Sequence, residues 1–182
     1  MKELIKDILI FVGFIWLVWL VDFLLPFIDL TQYGIVPRTT HGLLGILFAP
    51  FIHGSLLHIA SNTIPLIVLS FILFKFYEKQ ALLVILYSII LGGFLVWIFG
   101  RSSSHIGASG LIYSLAAFNV VFGFLQKKFI NILVSLLVVF LYGGLIWGVL
   151  PTHYYISWEG HLFGAITGVF LAFYFSKRTI KN

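Results

Sequence analysis

The chain is 182 residues long, 61% hydrophobic and 9% charged, with a mean hydropathy of +1.12 and a formal net charge of +5. A soluble domain of this size cannot hide so much apolar surface, so lipid is the solvent and an ordinary globular enzyme is excluded. Cysteine is absent, which removes disulfides, thiolate metal sites and a cysteine nucleophile together.

Met1 to Asp7 carries Lys2 and Lys6 ahead of a first apolar run at about 8–28. That run lacks a small-residue cleavage site and reads as a retained span rather than a removed signal peptide. Asp29 to Ser55 is too broken by Pro37, Gly42, Gly45, Pro50 and Gly54 to be a span. It still carries Leu43, Leu44, Ile46, Leu47, Phe48, Phe51 and Ile52, so it is expected to lie partly embedded in the membrane interface. Five further spans are predicted at about 56–75, 80–99, 108–125, 129–148 and 160–176. Lys75, Glu78 and Lys79 separate the second from the third, Arg101 to His105 the third from the fourth, and Gln126-Lys127-Lys128 the fourth from the fifth. Pro151 to Glu159 precedes the sixth, and Lys177, Arg178 and Lys181 follow it. The expectation is an all-α membrane protein, a bundle of six transmembrane helices forming one domain over residues 1–182.

Basic residues set the orientation. With the N-terminus in the cytoplasm, Lys2, Lys6, Lys75, Lys79, Lys127, Lys128, Lys177, Arg178 and Lys181 fall inside, while only Arg38 and Arg101 fall outside. This inside excess predicts cytoplasmic N- and C-termini and accounts for the positive charge. A nucleic-acid partner would need Lys and Arg gathered on one soluble face, and no such face is present.

In this topology the second, fourth and sixth spans all run from outside to inside. His58 and Asn62 open the second, Ser109 the fourth and His161 the sixth, so all four lie at one depth toward the outer leaflet. Charged side chains at a span centre cost about 2.5–3.5 kcal/mol, and polar ones normally face the bundle interior and mark function. A serine beside a histidine is a nucleophile beside a base. Each residue also fits a plainer role. Ser109 between Gly107 and Gly110 suits a helix start with small residues for close packing, and His161 a hydrogen-bonded packing contact. His58 and Asn62, four apart on one helix face, suit an interhelical hydrogen bond. Gly160, Gly164 and Gly168 form a stripe expected to pack against the fourth span. What lifts the set above packing is a nucleophile, a base and two hydrogen-bond donors converging from three spans.

No metal or cofactor is implied. The motif His-Glu-x-x-His is missing, and Asp22 and Asp29 both sit near the end of the first span, so paired intramembrane aspartates are missing too. A haem held between His58 and His161 stays open, and a transporter would be expected to show broken helices or repeats.

At these residues the chain resembles the rhomboid family of intramembrane serine proteases, in its compact six-span bacterial form. His53-Gly-Ser-Leu-Leu-His58-Ile-Ala-Ser-Asn62 is similar to the family's second-span motif. Gly107-Ala108-Ser109-Gly110 is similar to its Gly-x-Ser-Gly, and Gly160-His161 with Gly164 and Gly168 to its sixth-span motif. Each is weak alone; the three in this order are specific. The family's Trp-Arg pair in the first external loop is not evident, and Pro37-Arg38 followed by Gly42-Leu43-Leu44-Gly45 takes its place.

The resemblance implies a serine endopeptidase of a bacterial cytoplasmic membrane that cleaves single-span membrane proteins near the outer face. It implies a dyad, with Ser109 as nucleophile and His161 as general base and acid. The oxyanion hole would be formed by the side chains of His58 and Asn62 with the Ser109 backbone N–H. Tyr113, one turn beyond Ser109, would pack against the imidazole, and His53 would support the first loop. Glu159 is two residues from His161, which on a helix faces it away. The fifth span, with Tyr142, Gly143, Gly144 and Trp147, is the candidate lateral gate. The alternatives are a rhomboid-like pseudoprotease that binds membrane clients, or a haem-binding or transport bundle.

Overall fold

With no water in the hydrocarbon layer, a spanning backbone must satisfy its own hydrogen bonds, and this apolar chain does so as helices. A computed structural model describes residues 2–25, 27–151 and 156–179. Met1, Lys181, the side chain of Arg178 and the middle of the Pro151–Glu159 connection, all used above, lie outside the described residues. The elements are α1 (Lys2–Leu24), α2 (Thr40–Phe48), α3 (Leu56–Phe99), α4 (Ser109–Leu125), α5 (Phe129–Tyr142) and α6 (Trp158–Thr179). Short 3₁₀ turns occupy Leu30–Tyr33 and Ala49–Phe51, and a longer 3₁₀ segment, Gly143–Val149, continues α5. Among the described residues there is no strand; one isolated antiparallel bridge joins Ile35 to His105. The architecture is an all-α membrane bundle.

The second and third expected spans fall within the single element α3. Its 44 residues would rise about 66 Å as one rod, twice the ~30 Å hydrocarbon layer. Tyr77, with φ −136° and ψ 38°, breaks it into two legs among Lys75, Glu78 and Lys79. The loop between α1 and α3, too broken by proline and glycine to be a span, contains a short helix, α2. Nine residues are too few to cross a bilayer, and α2 exposes the apolar residues Leu43, Leu44, Leu47 and Phe48.

Large side chains fill the centre: Phe118 and Phe122 of α4 stack on each other, and Leu69 and Leu73 of α3 and Leu171 of α6 are fully buried around them. Several buried polar groups find hydrogen-bond partners within the bundle. Asn119 donates to the Leu69 carbonyl at 3.1 Å, and the Ser135 hydroxyl shares the carbonyls of Asn131 and Val120. Ser88 and Ser114 bond each other at 2.7 Å between α3 and α4.

The contact that positions the site is α4 against α6. A Cβ placed on Gly164 would run into the Gly110 carbonyl, and one on Gly168 into that of Ser114. One on Gly110 would come within 3.2 Å of the Gly160 carbonyl. The two backbones therefore touch along the stripe of small residues. Overpacking such a seam typically costs about 1–3 kcal/mol. Gly168→Ala is predicted to lower the melting temperature of the detergent-solubilised protein by several degrees; an unchanged melting curve would show that the seam can open freely.

Candidate active site

Ser109 is the first residue of α4 and is reached through a turn at Gly107, whose φ of +107° suits glycine alone. The Gly107 N–H donates to the Ala49 carbonyl at 2.8 Å, tying that turn to the end of α2's loop. As part of the first helical turn, the Ser109 N–H has no intrahelical acceptor, and the positive end of the α4 dipole lies there. α4 is short: 17 residues rise about 26 Å, less than the hydrocarbon layer. Lys127 and Lys128 follow its far end, and a helix anchored by them at one membrane surface would leave its Ser109 end recessed below the other.

His161 lies in the first turn of α6. Its Nε2 is 2.9 Å from the Ser109 hydroxyl, and its Nδ1 is 2.8 Å from the carbonyl of Gly148. Tyr113 stacks on the ring at 4.2 Å with the planes 4° apart. A carbonyl can only accept, so Nδ1 carries the proton and Nε2 presents a lone pair to the serine O–H. That arrangement can take a proton from an attacking hydroxyl and return it to a leaving amine.

His58 and Asn62 sit across Gly107. A Cβ built there would lie 2.5 Å from His58 Nε2 and 3.7 Å from Asn62 Nδ2. His53 lies between Ala108, Asn62 and His58. Its Nε2 accepts the Ala108 N–H at 3.3 Å and faces Asn62 Nδ2 at 3.0 Å, and its ring packs edge-on against His58 at 4.8 Å. Because the Ala108 N–H is a donor, Nε2 must be unprotonated, and the Asn62 amide donates its first hydrogen to it. The second hydrogen is left to point elsewhere in the site.

Burial lowers the His53 pKa from 6.5 to about 4, with repulsion from His58 adding to this and the Phe51 backbone opposing it. The ring is therefore neutral across the physiological range, as its acceptor role needs.

A second network ties the outer rim. Glu159, 3% exposed, sits 3.5 Å from Arg101 Nε and accepts the Arg101 N–H, away from His161. His105 donates from Nε2 to the Arg101 carbonyl at 3.1 Å, which leaves Nδ1 to accept from Ser157 at 2.6 Å. Ser157 in turn accepts the Gly160 N–H and so caps α6. Burial pushes the His105 pKa below its ordinary value, opposed by the Arg101 backbone and Glu159. In the first loop, Arg38 takes a left-handed φ of 60° and donates to the Ile98 and Gly100 carbonyls, while Trp97 Nε1 donates to Thr39. A cavity of about 50 Å³ beside Ser109 is lined by Ser88, Gly92, His105, Ser157 and Gly160 among others. Nearby, Ser104 bonds the Thr31 carbonyl and Ser102 bonds Arg38.

The sequence pattern of the Rhomboid domain matches residues 40–178. An uncharacterized protein of Mycobacterium tuberculosis is 40% identical over 183 aligned positions, covering 93% of this chain and 74% of its own length. One of Mycobacterium bovis has the same values. One of Mycobacterium leprae is 38% identical over 178 positions, covering 93% and 70%.

Protonation of His53 removes its acceptor, and the unfolded chain binds that proton more readily than the folded one. Stability from this group is complete above pH 6.5 and is lost as pH falls toward about 4. The melting temperature should therefore decline between pH 6.5 and 4 more steeply in wild type than in His53→Gln. Parallel declines would mean that His53 takes no part in acid sensitivity.

Proposed function

The chain belongs to the rhomboid family of intramembrane proteases, and on that premise we propose that it is a serine endopeptidase using Ser109 and His161 as a dyad. The observation that carries the proposal is the 2.9 Å contact between His161 Nε2 and the Ser109 hydroxyl, in a multi-pass membrane bundle. Ser109 attacks the scissile carbonyl as its proton passes to His161. The acyl-enzyme forms as that proton moves on to the leaving amine, and water then releases the product by the same steps.

The oxyanion is met by the Ser109 N–H, the free hydrogen of the Asn62 amide and His58. His58 supports this role by its position over Gly107. The head of α4 adds its dipole. Such donors act most strongly where water is excluded, and the loss of one typically costs about 10²–10³ in turnover. Tyr113 keeps the imidazole plane, and Gly110, Gly164 and Gly168 keep α6 close enough for contact.

The substrates are single-span membrane proteins cut near the outer face of a bacterial cytoplasmic membrane, with both termini of this single-domain chain (residues 1–182) in the cytoplasm. The inside excess of lysine and arginine supports that orientation. A substrate helix must unwind to offer its peptide bond, and the recessed head of α4 supports the cut being made below the membrane surface. Entry is beside α5 and its 3₁₀ continuation, where Phe140, Ile146 and Trp147 face outward, at 84%, 66% and 71% exposure.

Purified protein reconstituted with a single-span reporter is predicted to cleave it and to be labelled by a fluorophosphonate. Ser109→Ala and His161→Ala abolish cleavage while leaving a folded protein, and Asn62→Ala and His58→Ala lower turnover by about 10²–10³ with little change in KM. Activity falls at acid pH as His161 takes up a proton. Undiminished cleavage by Ser109→Ala would falsify the mechanism.

A further inference from the structure

A serine–histidine dyad without a carboxylate needs something to select the histidine's tautomer, and stacking on Tyr113 cannot do so, because a ring face does not distinguish Nδ1 from Nε2. The contact at Nδ1 can. The Gly148 carbonyl lies 2.8 Å from it, on the face of the imidazole edge opposite the serine. We propose that Gly148 is a positioning residue, whose main-chain carbonyl holds His161 in the Nδ1–H form and stabilises the imidazolium formed during proton transfer. The proposal rests on the proteolytic reading of Ser109 and His161.

Three further observations support it. First, the position has no room for a side chain: a Cβ on Gly148 would collide with the Tyr113 hydroxyl and come within 3.2 Å of His161 Nδ1. Glycine here lets the backbone approach the ring as closely as a side-chain acceptor would.

Second, Glu159, the nearest carboxylate in sequence, is engaged by Arg101. Third, the carbonyl belongs to a helix of the 3₁₀ type, Gly143–Val149, in which no residue is buried. Trp147, its neighbour, is 71% exposed. The acceptor that orients the base is thus carried on the outward-facing continuation of α5 rather than on the packed α4–α6 seam. Because Ser109 lies on α4 and the carbonyl on this segment, the Nδ1–H···O hydrogen bond depends on the segment being seated against Tyr113 and His161.

The test uses full-length protein with ¹⁵N-labelled histidine in the Ser109→Ala background, where no turnover intervenes. Nitrogen chemical shifts of His161 in neutral-pH bilayers report the tautomer. The expected result is a single Nδ1–H form; an Nε2–H form or an even mixture overturns the proposal. In the active protein, Gly148→Ala is expected to lower kcat about 10²-fold, the typical cost of a misplacement near 1 Å, with KM changed little. A gentler variant replaces Val149 by its α-hydroxy acid, turning the Gly148 amide into an ester and weakening the carbonyl as an acceptor. It should lower kcat about tenfold, the worth of one hydrogen bond, and bring the Nε2–H form into the nitrogen spectrum. If the ester variant keeps both wild-type kcat and a pure Nδ1–H spectrum, Gly148 is not the orienting group. Absence of cleavage and labelling in wild type, beside a pure Nδ1–H spectrum, would refute the proteolytic reading and leave the tautomer assignment standing.

Discussion

Where α4 meets α6, the backbones themselves touch, with Gly164 against the Gly110 carbonyl and Gly168 against that of Ser114. In lipid there is no hydrophobic force between helices, so association depends on such close packing. The distance between Ser109 and His161 follows from this seam. Ser109 heads one helix, and His161 sits one turn above Gly164 on the other, so the separation of the backbones sets the separation of hydroxyl and imidazole. The third partner, α3, joins through Ser88–Ser114 on its second leg and Asn119–Leu69 on its first, and the first leg carries His58 and Asn62 beside Gly107.

Among the described residues, the groups stacked on or bonded to the imidazole are a phenol ring, a backbone carbonyl and a hydroxyl. Holding a carboxylate at such a depth would carry a desolvation cost of several kcal/mol. Neutral groups avoid that cost and still control ring plane, tautomer and direction separately. The same economy applies to Asn62, whose orientation comes from a neutral His53. Glu159, a buried carboxylate, lies against the Arg101 guanidinium at the rim.

The bundle and its family were legible because their signals lie in side chains with fixed spacing. Apolar runs marked the helices, and Ser109, His161, His58 and Asn62 were visible as polar interruptions at one depth. The break near Tyr77 was visible in Lys75, Glu78 and Lys79, but charge does not say whether a helix ends or merely bends. Gly42 and Gly45 argued against a span, and within the short α2 they allow its approach to Val36 and Gly34. Gly148 was illegible for a deeper reason: every residue offers a carbonyl, and only an absent side chain hints that this one is used. The Arg101–Glu159 pair, 58 residues apart, has no periodicity to announce it. His53 was noticed, but its bond to the Ala108 N–H depends on a turn that only the folded chain defines.

The rim network closes in a particular order. Ile35 bridges His105 and Arg38 grips the end of α3, so the first loop and the turn before Ser109 can be stitched once α4 has emerged. Arg101 and His105, however, find Glu159, Ile156 and Ser157 only when the last helix arrives. The same helix brings His161. Tightening of this rim and the meeting of Ser109 with His161 therefore depend on one and the same packing event, the docking of α6.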